Sequence, residues 1–118
     1  MQIMADYGSE LIDKKTKGLG IINGDVRKMD QFNIGWNKLC KKKNLESFKK
    51  FNQKSFYFNH SNYINLKNSK NEIFYSNIGK YKIPSLIINK NIFGFQFHPE
   101  KSQVFGKKIL KYIIKGNL

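Results

Sequence analysis

The apolar positions of the chain change period twice along its length. Between residues 55 and 97 they alternate with polar ones or gather in short β-branched and aromatic blocks. Phe56, Tyr57, Phe58 and Tyr63 open this region, and Asn, Gly and Lys separate the blocks that follow. This pattern predicts four strands, over residues 55–63, 73–75, 85–88 and 92–97. After His98-Pro99-Glu100 the period lengthens: Phe105, Ile109, Tyr112 and Ile113 form a helical stripe, Ser102 stands where an N-cap belongs, and Gly116 supplies a stop. A helix over residues 103–115 is the strongest single expectation. Strands closed by a packed helix indicate an α/β layer architecture.

The first half is less regular. Ile3, Met4 and Tyr7 have helical spacing but no N-cap and no preceding strand, so residues 1–7 read as the tail of a helix. Residues 18–29 read as two short strands around a tight turn at Asn23-Gly24. In the Lys-rich stretch 38–54, the spacing of Leu39, Leu45, Phe48 and Phe51 suits a short helix. There is no internal repeat and no linker, and Pro84 and Pro99 are the only prolines. The 118 residues therefore read as one unit at most.

Composition narrows the class. With 40% hydrophobic and 14% aromatic residues the chain has the material for a core, which argues against disorder. No run approaches the roughly 20 apolar residues of a membrane span, and residues 1–10 lack a signal-peptide layout. A single cysteine, Cys40, excludes an internal disulfide and a cysteine-based zinc site, and a cytoplasmic location is expected. The formal charge of +14 would ordinarily suggest a polyanionic partner. Yet 21 of the 22 cations are Lys and only Arg27 is Arg, whereas base and phosphate recognition favours the forked guanidinium. Lys, Ile and Asn together make 50 of the 118 residues, a bias expected from codon drift in an A/T-rich genome. On that reading the lysines are mostly solvated surface, and nucleic-acid binding is not expected from charge alone.

The sharpest chemical feature is the string Phe93-Gly94-Phe95-Gln96-Phe97-His98-Pro99-Glu100-Lys101-Ser102. A strand delivers His98 at its end, Pro99 fixes a turn, and Glu100 follows two residues later. A carboxylate beside an imidazole can hold its tautomer and stabilise the imidazolium, so that the ring acts as a general base toward a nucleophile. Taken alone, such a pair reads more readily as a strand-end histidine and an acid favouring a helix N-terminus, and it is the surrounding string that reverses this.

The string resembles the C-terminal signature of class I, triad-type glutamine amidotransferases, which release ammonia from glutamine with a Cys-His-Glu triad. The resemblance covers nearly the whole chain. It rests also on Gly18-Leu19-Gly20-Ile21-Ile22-Asn23-Gly24 with Val26, on Ile34-Gly35-Trp36-Asn37, and on Phe56-Tyr57-Phe58-Asn59-His60-Ser61. Within the class, the motif order is most similar to the glutaminase subunits of imidazole glycerol phosphate synthase. The fold so implied is α/β, the C-terminal portion of a class I glutamine amidotransferase domain, a mixed sheet with flanking helices. The family nucleophile lies in a Gly-x-Cys-x-Gly-Met-Gln turn and this chain opens on Met1-Gln2, so residues 1–118 are expected to form a partial domain lacking the N-terminal strands and the nucleophile elbow. Cys40, in Lys38-Leu39-Cys40-Lys41, has no glycine-flanked turn and reads as an ordinary thiol.

The resemblance implies roles residue by residue. His98 would deprotonate the cysteine and protonate the leaving ammonia, and Glu100 would orient His98. Gln2 and Glu10 match positions that contact the substrate glutamine, and His60 and Ser61 match a loop beside its carboxylate, although Asn62 stands where Tyr is common. Tyr57, Lys101, Trp36 and Asn37 match positions facing a partner, the (β/α)8-barrel cyclase subunit that receives the ammonia in a heterodimer. No metal or organic cofactor is implied. Without its nucleophile the chain is expected to be inactive alone. Two other readings remain open: a glutaminase partner of a sugar amidotransferase in surface-polysaccharide synthesis, and a non-enzymatic basic interaction or nucleic-acid-binding module.

Overall fold

The computed structural model describes residues 5–11, 14–17, 22–42, 46–67 and 71–116, with side chains described from residue 24 onward. Eight strands and one α-helix are seen among them: β1 (Ala5–Leu11), β2 (Lys14–Lys17), β3 (Ile22–Lys38), β4 (Cys40–Lys41), β5 (Ser55–Leu66), β6 (Glu72–Ile78), β7 (Tyr81–Asn89), β8 (Ile92–Phe95) and α1 (Gln103–Ile114). One sheet has the order β2-β1-β3-β5 and is mixed, since β1 and β3 run parallel while the other pairs are antiparallel. The second, β4-β6-β7-β8, is antiparallel throughout.

The second half follows its pattern. In β5, Phe56, Phe58 and His60 point inward and Tyr57 and Asn59 outward, the period-two alternation of a strand with one buried face. In β7 every residue from Ile83 to Ile88 is buried, because both faces of this strand are covered. Phe74, Leu86 and Ile88 join Phe56, Phe58, Phe97 and Ile109 in the main core between the sheets and α1. Ile73 and Ile87 face the other way and meet Val26 and Ile64.

Pro84 sits inside β7 although a proline cannot donate to a sheet ladder. The register explains it: Phe74 opposes Leu86 and Tyr75 opposes Pro84, so Ser85 is an extra residue, a bulge. The Ser85 hydroxyl lies 2.9 Å from Ser76 Oγ and 3.1 Å from the Ile83 carbonyl, which satisfies two buried hydroxyls in an apolar layer.

The first half departs from its pattern. Residues 5–7 lie in strand β1 rather than in a helix tail, and the rest of that expectation falls outside the described residues. The expected turn at Asn23-Gly24 is absent: β3 runs on through it for 17 residues, pairing Gly24 with Leu66. A Cβ on Gly24 would stand 2.5 Å from the Asn65 carbonyl oxygen, so this glycine serves close strand approach rather than a turn. The helix expected in 38–54 reduces to a 3₁₀ turn, Lys49–Phe51. Leu39, Phe48 and Phe51 are nevertheless fully buried, so the apolar spacing reported core contact and not helical period. The mixed sheet agrees with the expected fold class; of the flanking helices, the described residues include α1 alone.

Candidate functional site

His98 is placed by a crossing between the sheets. The Gln96 N–H donates to the carbonyl of bulged Ser85 (2.9 Å), and two residues later the His98 N–H donates to the Tyr57 carbonyl (2.9 Å). The chain thus leaves the second sheet and reaches β5 of the first within two residues. Pro99–Lys101 then forms a 3₁₀ turn, with Pro99 at a position where its missing N–H costs nothing.

Ser102 closes the structure. Its hydroxyl accepts the Tyr57 N–H (2.9 Å) and donates to the His98 carbonyl (2.7 Å), and the residue is almost fully buried. Read from sequence as the cap of α1, Ser102 makes no capping bond. It ties both ends of the His98 turn to β5 instead. Gly106 permits this closeness. A Cβ there would overlap the Pro99 carbonyl oxygen and stand 2.9 Å from Ser102 Cβ.

Within this frame His98 Nδ1 lies 2.9 Å from Glu100 Oε1. An ionised carboxylate only accepts, so Nδ1 carries a proton, and in the neutral ring Nε2 then presents the lone pair a general base needs. Glu100 is held below the ordinary carboxylate range chiefly by its own backbone N–H; burial opposes this, and the His98 imidazole and the Lys101 charge lower it further. The pair is open to solvent, with side-chain exposures of 39% for His98 and 62% for Glu100. Lys101 is exposed on the same turn.

His60 lies inside the protein, on β5. Its Nδ1 donates to the Asn62 carbonyl (2.8 Å), and Asn33 Nδ2, directly across on β3, donates to Nε2 (3.0 Å). Only the neutral ring with its proton on Nδ1 satisfies both bonds. Asn37 Nδ2 reaches Asn33 Oδ1 at 3.5 Å, so Asn37 belongs to this inner row. Trp36 faces the other way and pairs edge-on with Tyr57 across the strands, ring centroids 5.9 Å apart. Of the four residues matched to a partner-facing surface, these two are brought together on the outer face, where Phe32 and Ile34 are exposed in the same alternating row. Gly35, between them, has φ 138°, a backbone conformation that suits glycine. Asn33 carried no sequence signal, because its partnership with His60 depends on strand register. That register is irregular here: the four residues Met29 to Phe32 lie opposite the single Ser61, which is half-buried next to His60.

Glu10 lies on β1 with its side chain outside the described residues, and Gln2 lies outside them altogether. Cys40 is on β4 of the second sheet, where Gln53 Nε2 approaches its sulfur at 3.5 Å, in a strand rather than at a strand-to-helix elbow. Among the described residues no group of three or more His, Cys, Asp or Glu side chains could hold a metal ion, and no helix is long and apolar enough to cross a membrane.

Burial lowers the His60 pKa; the bond to the Asn62 carbonyl opposes this, and the charge of His98 acts with burial. The unfolded chain therefore binds a proton at His60 more readily than the folded one. This contribution to stability is complete above the unfolded value of about 6.5 and is lost as pH falls from there through the lower folded value. The melting temperature should fall between pH 7.5 and 5.5, and His60→Gln should flatten that slope. An unchanged slope in the variant would show that His60 is not the group responsible.

The fold and the His98 turn place the chain in a known class. The family model for "Glutamine amidotransferase class-I" matches residues 1–115, and the chain belongs to that family. Among curated relatives it is similar to "Imidazole glycerol phosphate synthase subunit HisH" of Pelagibacter ubique, 39% identical over 94% of this chain and 56% of the relative. The protein of that name from Listeria innocua is 37% identical over 94% of this chain and 54% of its own length, and that from Caldanaerobacter subterraneus 40% identical over 82% and 50%. The chain thus spans about half the length of the curated relatives it matches.

Proposed function

We propose that this chain supplies the general-base half of a glutaminase site in an imidazole glycerol phosphate synthase. His98 Nε2 takes the proton of a cysteine thiol, the thiolate attacks the glutamine carboxamide, and His98 returns the proton to the departing ammonia. Water then hydrolyses the thioester to glutamate. Glu100 holds the ring and stabilises the imidazolium. The observation that carries the reading is the 2.9 Å His98–Glu100 contact at a junction fixed by Tyr57 and Ser102. The names of the relatives favour this pathway over a sugar amidotransferase.

On this reading the nucleophile is a glycine-flanked cysteine outside residues 1–118 rather than Cys40, which lies in strand β4. Residues 1–118 then act as a partial domain, with Gln2, Glu10, His60 and Ser61 lining the glutamine site. The exposed apolar row of Phe32, Ile34 and Trp36, together with Tyr57 and Lys101, is the face offered to a barrel-type cyclase subunit, with Asn37 behind it. A cytoplasmic setting suits the free thiol.

The test joins the chain to the nucleophile-bearing half of the Pelagibacter ubique relative and assays glutamine hydrolysis with that organism's cyclase subunit. The hybrid should release glutamate and the 118-residue chain alone should not. Glutaminase activity from the lone chain that survives Cys40→Ala would overturn the assignment, as would a folded hybrid without activity.

A further inference from the structure

A cleft of about 490 Å³ opens between α1 and the 3₁₀ turn Lys49–Phe51, lined by none of the residues assigned to the glutaminase site. Five of its eight lining residues are lysine, against 21 of 118 in the whole chain, so compositional drift does not account for them. Lys50 and Lys54 form one wall. Lys108 and Lys111 on α1, with Lys115 at its C-cap four residues further on, form the other.

The rings of Phe51, Phe105 and Tyr112 make the floor. Lys50 Nζ stands 4.2 Å from the Tyr112 centroid, and Lys54 and Lys108 approach the Phe105 ring from opposite walls at 5.3 and 5.2 Å. The rings draw the ammonium groups over the cleft. Residues 47–71 and 101–116, which supply both walls, contain no Asp or Glu, and the ion pairs seen among the described residues involve other lysines. Like charges on facing walls of one cleft repel one another, and a multivalent anion between them relieves that repulsion.

We propose that this cleft binds a compact anion carrying several adjacent phosphates, such as the polyphosphate portion of a small metabolite. The volume falls in the range of small-molecule sites. Lysines act as mobile point charges that suit clustered phosphates without the directional code of arginine. A nucleic-acid strand fits less well, because Phe51 is buried and Lys50 lies over Tyr112, which leaves little open ring for bases to stack on.

The experiment titrates the 118-residue chain with inorganic tripolyphosphate in about 0.1 M salt by calorimetry. Tripolyphosphate should bind measurably and much more tightly than orthophosphate. Lys108→Ala combined with Lys111→Ala, both favourable to the helix, should weaken binding about tenfold, whereas Lys82→Ala combined with Lys90→Ala on the β7 side should not. Absence of binding, or equal loss in both double variants, would overturn the proposal. So would a single-stranded oligonucleotide that binds more tightly as it lengthens and displaces tripolyphosphate, since the occupant would then be an extended polymer.

Discussion

His98→Ala should lower glutamine hydrolysis about 10³-fold or more in a hybrid carrying the cysteine elbow, with little change in stability. The ring is partly exposed, and its side-chain hydrogen bond among the described residues is to solvent-exposed Glu100, which water can satisfy after its removal. The loss is one of proton transfer, because without Nε2 the thiol must ionise unaided and the ammonia must leave unprotonated. Glu100→Gln should cost less, about 10- to 100-fold. The amide oxygen can still accept from Nδ1, so the tautomer survives, and what disappears is the negative charge that stabilises the imidazolium. At 62% exposure that charge is partly screened by water. The loss should appear in kcat with KM little changed, since Glu100 acts on His98 and not on the bound glutamine. If His98→Ala retained most of the activity, the proton would be passing through another group and the assignment would fail.

The geometry of this turn was legible because it is local. His98, Pro99 and Glu100 are consecutive or nearly so, and their spacing alone brings the imidazole and carboxylate within reach. Helix α1 and strands β5 to β8 were legible for a related reason, since their apolar period follows from one packed face or from a run buried on both. What could not be read was set by partners distant in sequence. Ser102 passed for a helix cap, because nothing in the string reveals that Tyr57, 45 residues earlier, occupies its hydroxyl. Asn33 drew no notice because its contact with His60 needs the register of β3 on β5. The Asn23-Gly24 step and the 38–54 stretch failed differently. Local propensity favoured a turn and a helix, and tertiary packing kept the first extended and shortened the second to one 3₁₀ turn. The lysine cleft was hidden for the same reason: residues 50 and 54 and residues 108 to 115 look like two dispersed basic segments until α1 folds back over the Lys49–Phe51 turn.

Gly106→Ala should be the most damaging conservative change in α1, although Ala is the better helix former by roughly 1 kcal/mol in isolation. The added Cβ would fall on the Pro99 carbonyl oxygen and press on Ser102, both part of the turn that carries His98 and Glu100. A backbone carbonyl cannot rotate out of the way as a side chain would, so either α1 lifts from the sheet or the Pro99–Lys101 turn shifts. Lifting α1 exposes Ile109, which is fully buried in the main core, and shifting the turn breaks the Ser102 bonds to Tyr57 and His98. Overpacking of this kind costs about 3 kcal/mol, which corresponds to a fall of roughly 10 °C in Tm for a chain of this size. Lys107→Ala, one residue on and exposed, should stay within about 0.5 kcal/mol of the parent. In the hybrid enzyme Gly106→Ala should also lower kcat toward that of Glu100→Gln, because the distance between His98 and Glu100 is set by the turn that the new methyl group displaces. A Gly106→Ala protein that melts with the parent and keeps its activity would show that the helix does not brace the His98 turn.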